Sequence, residues 1–139
     1  MQQGIDFDTL REGDTLPPLT LAVTPSAIVA GALASGDFEL VHHDSHAARE
    51  RGTPEIFMNI LTTNGYVQRF VNDWAGPAVR IRGIEIRLGV PNFAGDSLRF
   101  TGVVLKKERA GRHKLVAVAV RGANALGEHV AATVRLALP

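Results

Sequence analysis

Cysteine is absent from the 139 residues, which excludes disulfide bonds, thiolate metal sites and a cysteine nucleophile. A large excess of charge is also missing. The formal net charge is +1 at pH 7, whereas nucleic-acid-binding domains usually carry a basic excess, so we expect no nucleic-acid partner. No apolar run approaches the roughly 18 residues of a membrane-spanning helix. The first residues lack the basic and apolar segments of a signal peptide, and we expect a cytoplasmic protein without a membrane partner.

The composition that remains is that of a globular domain. Hydrophobic residues make up 45% of the chain and charged residues 21%, a balance that favours a packed core over disorder. The length predicts one domain, 1–139. Residues 1–18 are polar and end in Pro17-Pro18, so we expect them to form an irregular lead-in.

The sequence before residue 57 predicts a short strand followed by two helices. Residues 19–23 alternate apolar and small side chains, which predicts a short strand. Thr24 followed by Pro25 is typical of a helix start, and the small apolar residues 27–34 continue that helix. Asp44 is placed to cap a second, shorter helix that follows it.

The longest helical pattern covers residues 57–74. Its apolar positions recur at spacings of three and four, which indicates one buried helix face. Asn64 and Gly65 interrupt this pattern near its middle. Glycine inside a helix costs about 1 kcal/mol relative to alanine, so Gly65 suggests the close approach of another backbone or of a ligand.

The second half of the chain has a period of two, which is typical of strands. Four runs are predicted, at 79–88, 98–106, 115–120 and 130–138, and a phase slip at Gly83 indicates a β-bulge. One long helix and one antiparallel sheet must bury each other's apolar faces. The sequence therefore predicts an α+β hotdog fold, in which an antiparallel sheet wraps around one long central helix.

Acidic and imidazole side chains are densest at residues 35–44. Asp37 and His42 are five residues apart across a loop that begins with glycine, so both side chains can reach one point. A carboxylate and an imidazole suit the addition of water to an activated double bond, because one group takes a proton from water and the other protonates carbon. The free N–H groups near Met58 and Asn59 can hold the substrate carbonyl. The alternative is that Asp37 caps a turn and that His42 and His43 are polar surface residues.

A family resemblance supports the catalytic interpretation. The residues that carry it are Ser35-Gly36-Asp37, His42, Asp44, Ala47-Ala48 and Gly52. Together they resemble the signature of the MaoC-like (R)-specific enoyl-CoA hydratases, also called hydratase 2. Glu39, Leu40 and Met58-Asn59 depart from that pattern. The resemblance implies hydration of a trans-2-enoyl-CoA to a 3-hydroxyacyl-CoA by Asp37 and His42, with neither a metal nor another cofactor besides the substrate's coenzyme A.

Segments 41–44, 56–62 and 65–77 carry a closer resemblance. They are similar to the small MaoC-like subunit of two-subunit bacterial hydratases that act on steroid side-chain CoA thioesters. That similarity implies a homodimer or a hetero-oligomer with a larger MaoC-like subunit. It also implies that the Asn59 N–H faces the thioester carbonyl. Met58, Asn64 and Gly65 are expected to contact substrate, although the latter two suit helix–sheet packing equally well.

Two other functions remain open at this point. The first is an acyl-CoA thioesterase on the same fold, since it also needs a carboxylate and a polarised carbonyl. The second is a non-catalytic subunit that binds acyl-CoA within a hetero-oligomeric hydratase. A cluster of cations near a predicted hairpin tip is either a CoA phosphate contact or a solvated turn; its members are Lys106, Lys107, Arg109 and Arg112.

Overall fold

A computed structural model describes residues 4–139. Five strands and three α-helices form in the order β1 (Thr15–Ala22), α1 (Pro25–Ala34), α2 (Ser45–Glu50), α3 (Ile60–Ala75), β2 (Arg80–Leu88), β3 (Ser97–Ala110), β4 (His113–Asn124) and β5 (Gly127–Leu138), with a short 3₁₀ turn at Leu40–His42 before α2. The strands make one antiparallel sheet in the order β1-β3-β4-β5-β2. The sheet holds the long helix α3 against one face, which confirms the predicted hotdog fold.

The core lies between α3 and the middle strands of the sheet. Phe70 of α3 stacks on Phe100 of β3 with ring centroids 5.6 Å apart. Val67 and Val71 of α3 are fully buried, as is Val118 of β4. Burial of each such side chain contributes roughly 1.5–3 kcal/mol, so this contact holds helix and sheet together.

The described part of the lead-in is shorter and better packed than predicted. Strand β1 begins at Thr15 and includes both prolines, so the boundary at residue 18 is wrong. An edge strand tolerates proline because one side of its backbone has no partner, and the register shifts between Leu16 and Leu19. Lys107 Nζ donates to the carbonyls of Phe7 and Leu10, each at 2.7 Å, and fastens the segment before β1 to the sheet.

Part of the predicted cation cluster joins the segment before β1 to the sheet. Besides the two hydrogen bonds of Lys107, Arg109 pairs with Asp8, and Lys106 pairs with Glu108 at 2.8 Å. These three cations therefore have partners within the chain.

Helix α3 begins three residues later than predicted. Phe57 forms an isolated antiparallel bridge with Phe93, and the Met58 N–H donates to Asn92 O at 2.9 Å. Asn59 is the N-cap, because its side chain accepts from the Thr62 N–H. Apolar spacing alone could not separate this paired, extended segment from the first helical turn.

Two glycine predictions have opposite outcomes. The β-bulge is confirmed, since the register of β2 shifts between Ile81 and Gly83. The close backbone approach at Gly65 is wrong, because a Cβ built there meets nothing within 4 Å. The tight helix contact lies instead at Gly31 of α1, where a Cβ would collide with the Thr62 side chain. Within residues 4–139, no helix is long and apolar enough to cross a membrane.

Candidate active site

The loop after α1 brings the two predicted catalytic side chains together. Gly36 has φ of +69°, a left-handed conformation that glycine adopts freely, and it turns the chain away from the helix end. The Asp37 N–H then donates to Ala32 O at 2.9 Å, which fixes the start of the loop. The 3₁₀ turn that contains His42 leads into Asp44, whose side chain caps α2 through the Ala47 N–H, as predicted.

Asp37 Oδ2 and His42 Nε2 lie 3.3 Å apart. His42 Nδ1 is 2.7 Å from the carbonyl oxygen of Phe57. Because a carbonyl only accepts, Nδ1 carries the hydrogen, and the imidazole presents Nε2 to the carboxylate. The imidazole ring also packs edge-on against the Phe57 ring, with centroids 4.9 Å apart. The alternative that His42 is a surface residue is excluded, since only 7% of it is exposed.

Both oxygens of the Asp37 carboxylate accept hydrogen bonds. Oδ2 accepts from Asn59 Nδ2 at 3.0 Å, and Oδ1 accepts from the Glu39 N–H at 3.2 Å. The Asn59 bond is the largest cause that lowers the pKa of Asp37, followed by the Glu39 N–H, while desolvation opposes them and His42 adds a smaller lowering. Asp37 is therefore held as a carboxylate at neutral pH.

The pair opens into a cavity of about 350 Å³. One wall is the segment that leads into α3, and the opposite wall is the loop after β2; the lining residues are Asp37, His42, Phe57, Met58, Asn59, Ile60, Leu88, Gly89, Val90, Pro91 and His129. The cavity is mostly apolar with a few polar groups, a character typical of small-molecule sites. It can hold an acyl group with its reactive atoms at the carboxylate and imidazole.

The amino end of α3 offers a hydrogen-bond donor to this cavity. The Met58 N–H is already bonded to Asn92 O. The N–H groups of Thr62 and Thr63 are bonded to Asn59. The Asn59 N–H has no acceptor among residues 4–139, so it is the candidate oxyanion donor beside the positive end of the helix.

A second buried histidine supports the opposite wall. His129 Nδ1 donates to Val90 O at 2.6 Å, and Nε2 accepts from the Thr63 hydroxyl at 2.8 Å. The backbone carbonyl of His129 also accepts from the Gly89 N–H at 2.7 Å. Burial lowers the pKa of His129, so the ring is neutral and can accept from Thr63. The sequence analysis identified no role for this residue, because period-two alternation gives no sign of a partner on a distant helix.

The structure brings together four of the six predicted site residues. Asp37, His42, Met58 and Asn59 line one cavity. Asn64 and Gly65 lie one turn further along α3 and do not line it. Gly65 borders a separate groove between α1 and α3. Asn64 Oδ1 is buried with no hydrogen-bond partner in the described chain, and a substrate contact for either residue stays a prediction.

Sequence analysis missed the side chain of Asn59 as a site residue. Only its backbone N–H was predicted to act, yet its amide contacts both Asp37 and Ser35. A signal was available, because asparagine directly before a helical run is a favoured N-cap. Starting the helix at Phe57 placed Asn59 inside it and concealed that role.

Comparisons with known proteins agree with this fold and site. A family model described as "MaoC like domain" matches residues 8–125. The chain is 48% identical over 126 residues to the 3-oxo-4,17-pregnadiene-20-carboxyl-CoA hydratase beta subunit of Mycobacterium tuberculosis, covering 91% of this chain and 95% of that protein.

Solved structures give the same result. The ChsH1–ChsH2 complex from Mycobacterium tuberculosis contains a chain with TM-score 0.87 and 47% identity, covering 93% of this chain and 98% of that one. The R-hydratase PhaJ1 from Pseudomonas aeruginosa has TM-score 0.88 at 22% identity, covering 98% and 86%, a likeness of fold alone. The chain belongs to the MaoC-like domain family, which confirms the predicted resemblance.

Proposed function

We propose that this MaoC-like protein is an enoyl-CoA hydratase, a hydro-lyase that reversibly adds water to a trans-2-enoyl-CoA and forms a 3-hydroxyacyl-CoA. The observation that carries the proposal is the 3.3 Å approach of Asp37 Oδ2 to His42 Nε2, both of which line a mostly apolar cavity. The high identity to a named hydratase subunit supports it independently.

The reaction needs one proton taken from water and one given to carbon. Asp37, as a carboxylate, accepts a proton from water while the water oxygen bonds to C3 of the substrate. The electrons of the double bond move toward C2 and the thioester oxygen. With both ring nitrogens of His42 protonated, Nε2 gives its proton to C2, and the proton on Asp37 then moves the 3.3 Å to Nε2, which restores the carboxylate and the protonated imidazole. The products contain all the atoms of substrate and water.

Negative charge that develops on the thioester oxygen needs a donor. The Asn59 N–H suits this role because it lies at the amino end of α3, lines the cavity and has no acceptor among the described residues. A backbone donor held in place before the reaction lowers the barrier, since no group must reorganise as the charge forms. Met58 lines the same cavity, so we propose that it contacts the acyl group.

The acyl group and the assembly are proposed from the relatives. The name of the 48% identical protein specifies a pregnadiene-carboxyl-CoA substrate and a beta subunit, which supports a bulky steroid side-chain acyl group here. The ChsH1–ChsH2 complex supports a hetero-oligomer with a second chain. The resemblance described in the sequence analysis implies that this chain is a larger MaoC-like subunit. Asn64 and Gly65 then belong to the acyl contact. The lack of any cofactor besides the substrate's coenzyme A, and a cytoplasmic location, stay predictions.

A two-channel assay tests the proposal against its thioesterase alternative. The protein, alone and co-expressed with a candidate larger MaoC-like chain, is mixed with a short enoyl-CoA and with a steroid enoyl-CoA. We expect the ultraviolet absorbance of the conjugated double bond to decrease, with a 3-hydroxyacyl-CoA as product and no free thiol. Release of free CoA with the double bond intact would contradict hydration and favour a thioesterase.

A further inference from the structure

One short segment supports both groups of the catalytic pair. The Phe57 carbonyl accepts from His42 Nδ1 at 2.7 Å, and two residues later Asn59 Nδ2 donates to Asp37 Oδ2 at 3.0 Å. The segment is itself bound to the loop before β3, through Met58 N–H to Asn92 O at 2.9 Å and Ala94 N–H to Ile56 O at 3.1 Å. These hydrogen bonds to the loop before β3 fix the position of the segment independently of the loop that carries Asp37.

The orientation of the Asn59 amide follows from its partners. Asn59 Oδ1 faces the Thr62 N–H at 2.9 Å and also accepts from the Thr62 hydroxyl. A backbone N–H only donates, so the atom that faces it must be the oxygen. The amide nitrogen is then directed to Asp37 Oδ2 and, at 2.9 Å, to Ser35 Oγ. Only 2% of Asn59 is exposed, so solvent has little access to its amide.

We propose that the Asn59 side chain is a positioning residue for the hydration reaction, which holds Asp37 Oδ2 beside His42 Nε2 at the cavity. This inference rests on the proposed function, because Asn59 would hold Asp37, the base of that reaction, in place. The asparagine thereby has two separable tasks: Oδ1 caps α3, and Nδ2 holds the carboxylate.

The same hydrogen bond has an electrostatic consequence. A donor on the carboxylate favours its charged form, and the Asn59 bond is the largest contribution that lowers the pKa of Asp37. Loss of the donor therefore moves the carboxyl pKa upward and frees the side chain to rotate away from His42. Misplacement of a catalytic group by about 1 Å costs on the order of 10²-fold in rate.

Two substitutions separate the tasks. Asn59→Asp has nearly the same shape and remains a good N-cap, but it replaces the donor to Asp37 with a second carboxylate. Asn59→Ser also remains a good N-cap and is too short to reach Asp37. If Asn59 served only as a cap, both variants would behave like the wild type. Asp44→Asn provides the matched control, because it exchanges an acid and an amide at the N-cap of α2, away from the cavity.

The experiment measures kcat and KM for hydration together with an NMR titration of the Asp37 carboxyl carbon. We expect kcat to fall about 10²-fold in Asn59→Asp and about 10-fold or more in Asn59→Ser, with KM changed less than threefold. The titration midpoint of Asp37 should rise in both, most in Asn59→Asp. Asp44→Asn should match the wild type in every measurement.

Three results would overturn the inference. The first is wild-type kcat in both Asn59 variants, and the second is an unchanged Asp37 titration. The third is a loss of activity that tracks a loss of folded protein by circular dichroism, because Asn59 would then act only through stability. A wild-type protein that does not hydrate any enoyl-CoA would contradict the proposed function instead, and the titration would still test the contact between Asn59 and Asp37.

Discussion

Two buried histidines line the same cavity and differ in what their second ring nitrogen meets. In both, Nδ1 donates to a backbone carbonyl, Phe57 O for His42 and Val90 O for His129. His42 Nε2 faces the Asp37 carboxylate at 3.3 Å and the cavity. His129 Nε2 is occupied by the Thr63 hydroxyl at 2.8 Å.

The difference shows why a histidine in a pocket is not automatically catalytic. A carboxylate partner can stabilise a protonated imidazole, whereas burial keeps His129 neutral and lets its Nε2 accept from the Thr63 hydroxyl. His42 can therefore serve as an acid, while His129 joins β5 to α3 and to the loop after β2. Four predictions test this division, from the largest expected effect to the smallest.

Substitution of the catalytic pair should have the largest effect. Asp37→Asn and His42→Ala should each lower kcat by about 10²–10⁴-fold, because each removes a proton-transfer group. His43→Ala is the matched control, since His43 is the exposed neighbour of His42 in the same loop. Retention of wild-type kcat in both Asp37→Asn and His42→Ala would make this chain a non-catalytic subunit.

Disruption of the second histidine should affect stability more than chemistry. Thr63→Val leaves His129 Nε2 buried without its donor, which should lower the free energy of unfolding by about 1–3 kcal/mol. The kcat should fall less than tenfold, because Asp37 and His42 keep their own contacts. Urea unfolding and the hydration assay measure the two effects. A loss of kcat as large as that of His42→Ala would contradict the division into a catalytic His42 and a structural His129.

The pH dependence of stability should report His129. Its pKa in the folded chain lies below the ordinary 6.5, because burial disfavours the charged ring. As the pH falls, His129 is protonated in the unfolded chain before it is protonated in the folded chain. The contribution of the neutral ring to the free energy of unfolding is therefore complete above pH 6.5 and is lost progressively below that value. The Tm of the wild type should fall more steeply between about pH 7 and pH 5 than that of His129→Gln, which has no ring to titrate. Parallel Tm curves would contradict a neutral, buried His129.

The smallest effect is expected at Asp44, the acid that only caps a helix. Asp44→Ala removes the acceptor of the Ala47 N–H and should lower Tm by a few degrees. The kcat should not change, because the Asp44 side chain is not part of the cavity lining. Differential scanning calorimetry with the activity assay checks both, and a kcat reduced tenfold would give Asp44 a part in the chemistry.

Local patterns were sufficient to predict much of the fold. Helix signals such as Thr24-Pro25, the phase slip at Gly83 and the alternation of the last four strands all appear in the structure. Boundaries were less predictable: β3 and β4 run longer than 98–106 and 115–120, because pairing with neighbours continues beyond the apolar residues.

The site was predictable only where its residues are close in sequence. Asp37 and His42 belong to one loop, so both side chains could be expected to reach one point, and the family resemblance supplied the catalytic interpretation. The contacts of Asn59 with Asp37 and of Thr63 with His129 join residues 22 and 66 positions apart. Such pairs depend on how α3 crosses the sheet, and periodicity carries no information about that crossing.

The structure of Asp37→Asn with a bound trans-2-enoyl-CoA or 3-hydroxyacyl-CoA tests the central claim most directly. We predict that the acyl C3 lies beside residue 37 and C2 beside His42 Nε2, with the thioester oxygen about 3 Å from the Asn59 N–H. A thioester bound away from both His42 and the Asn59 N–H would contradict the account.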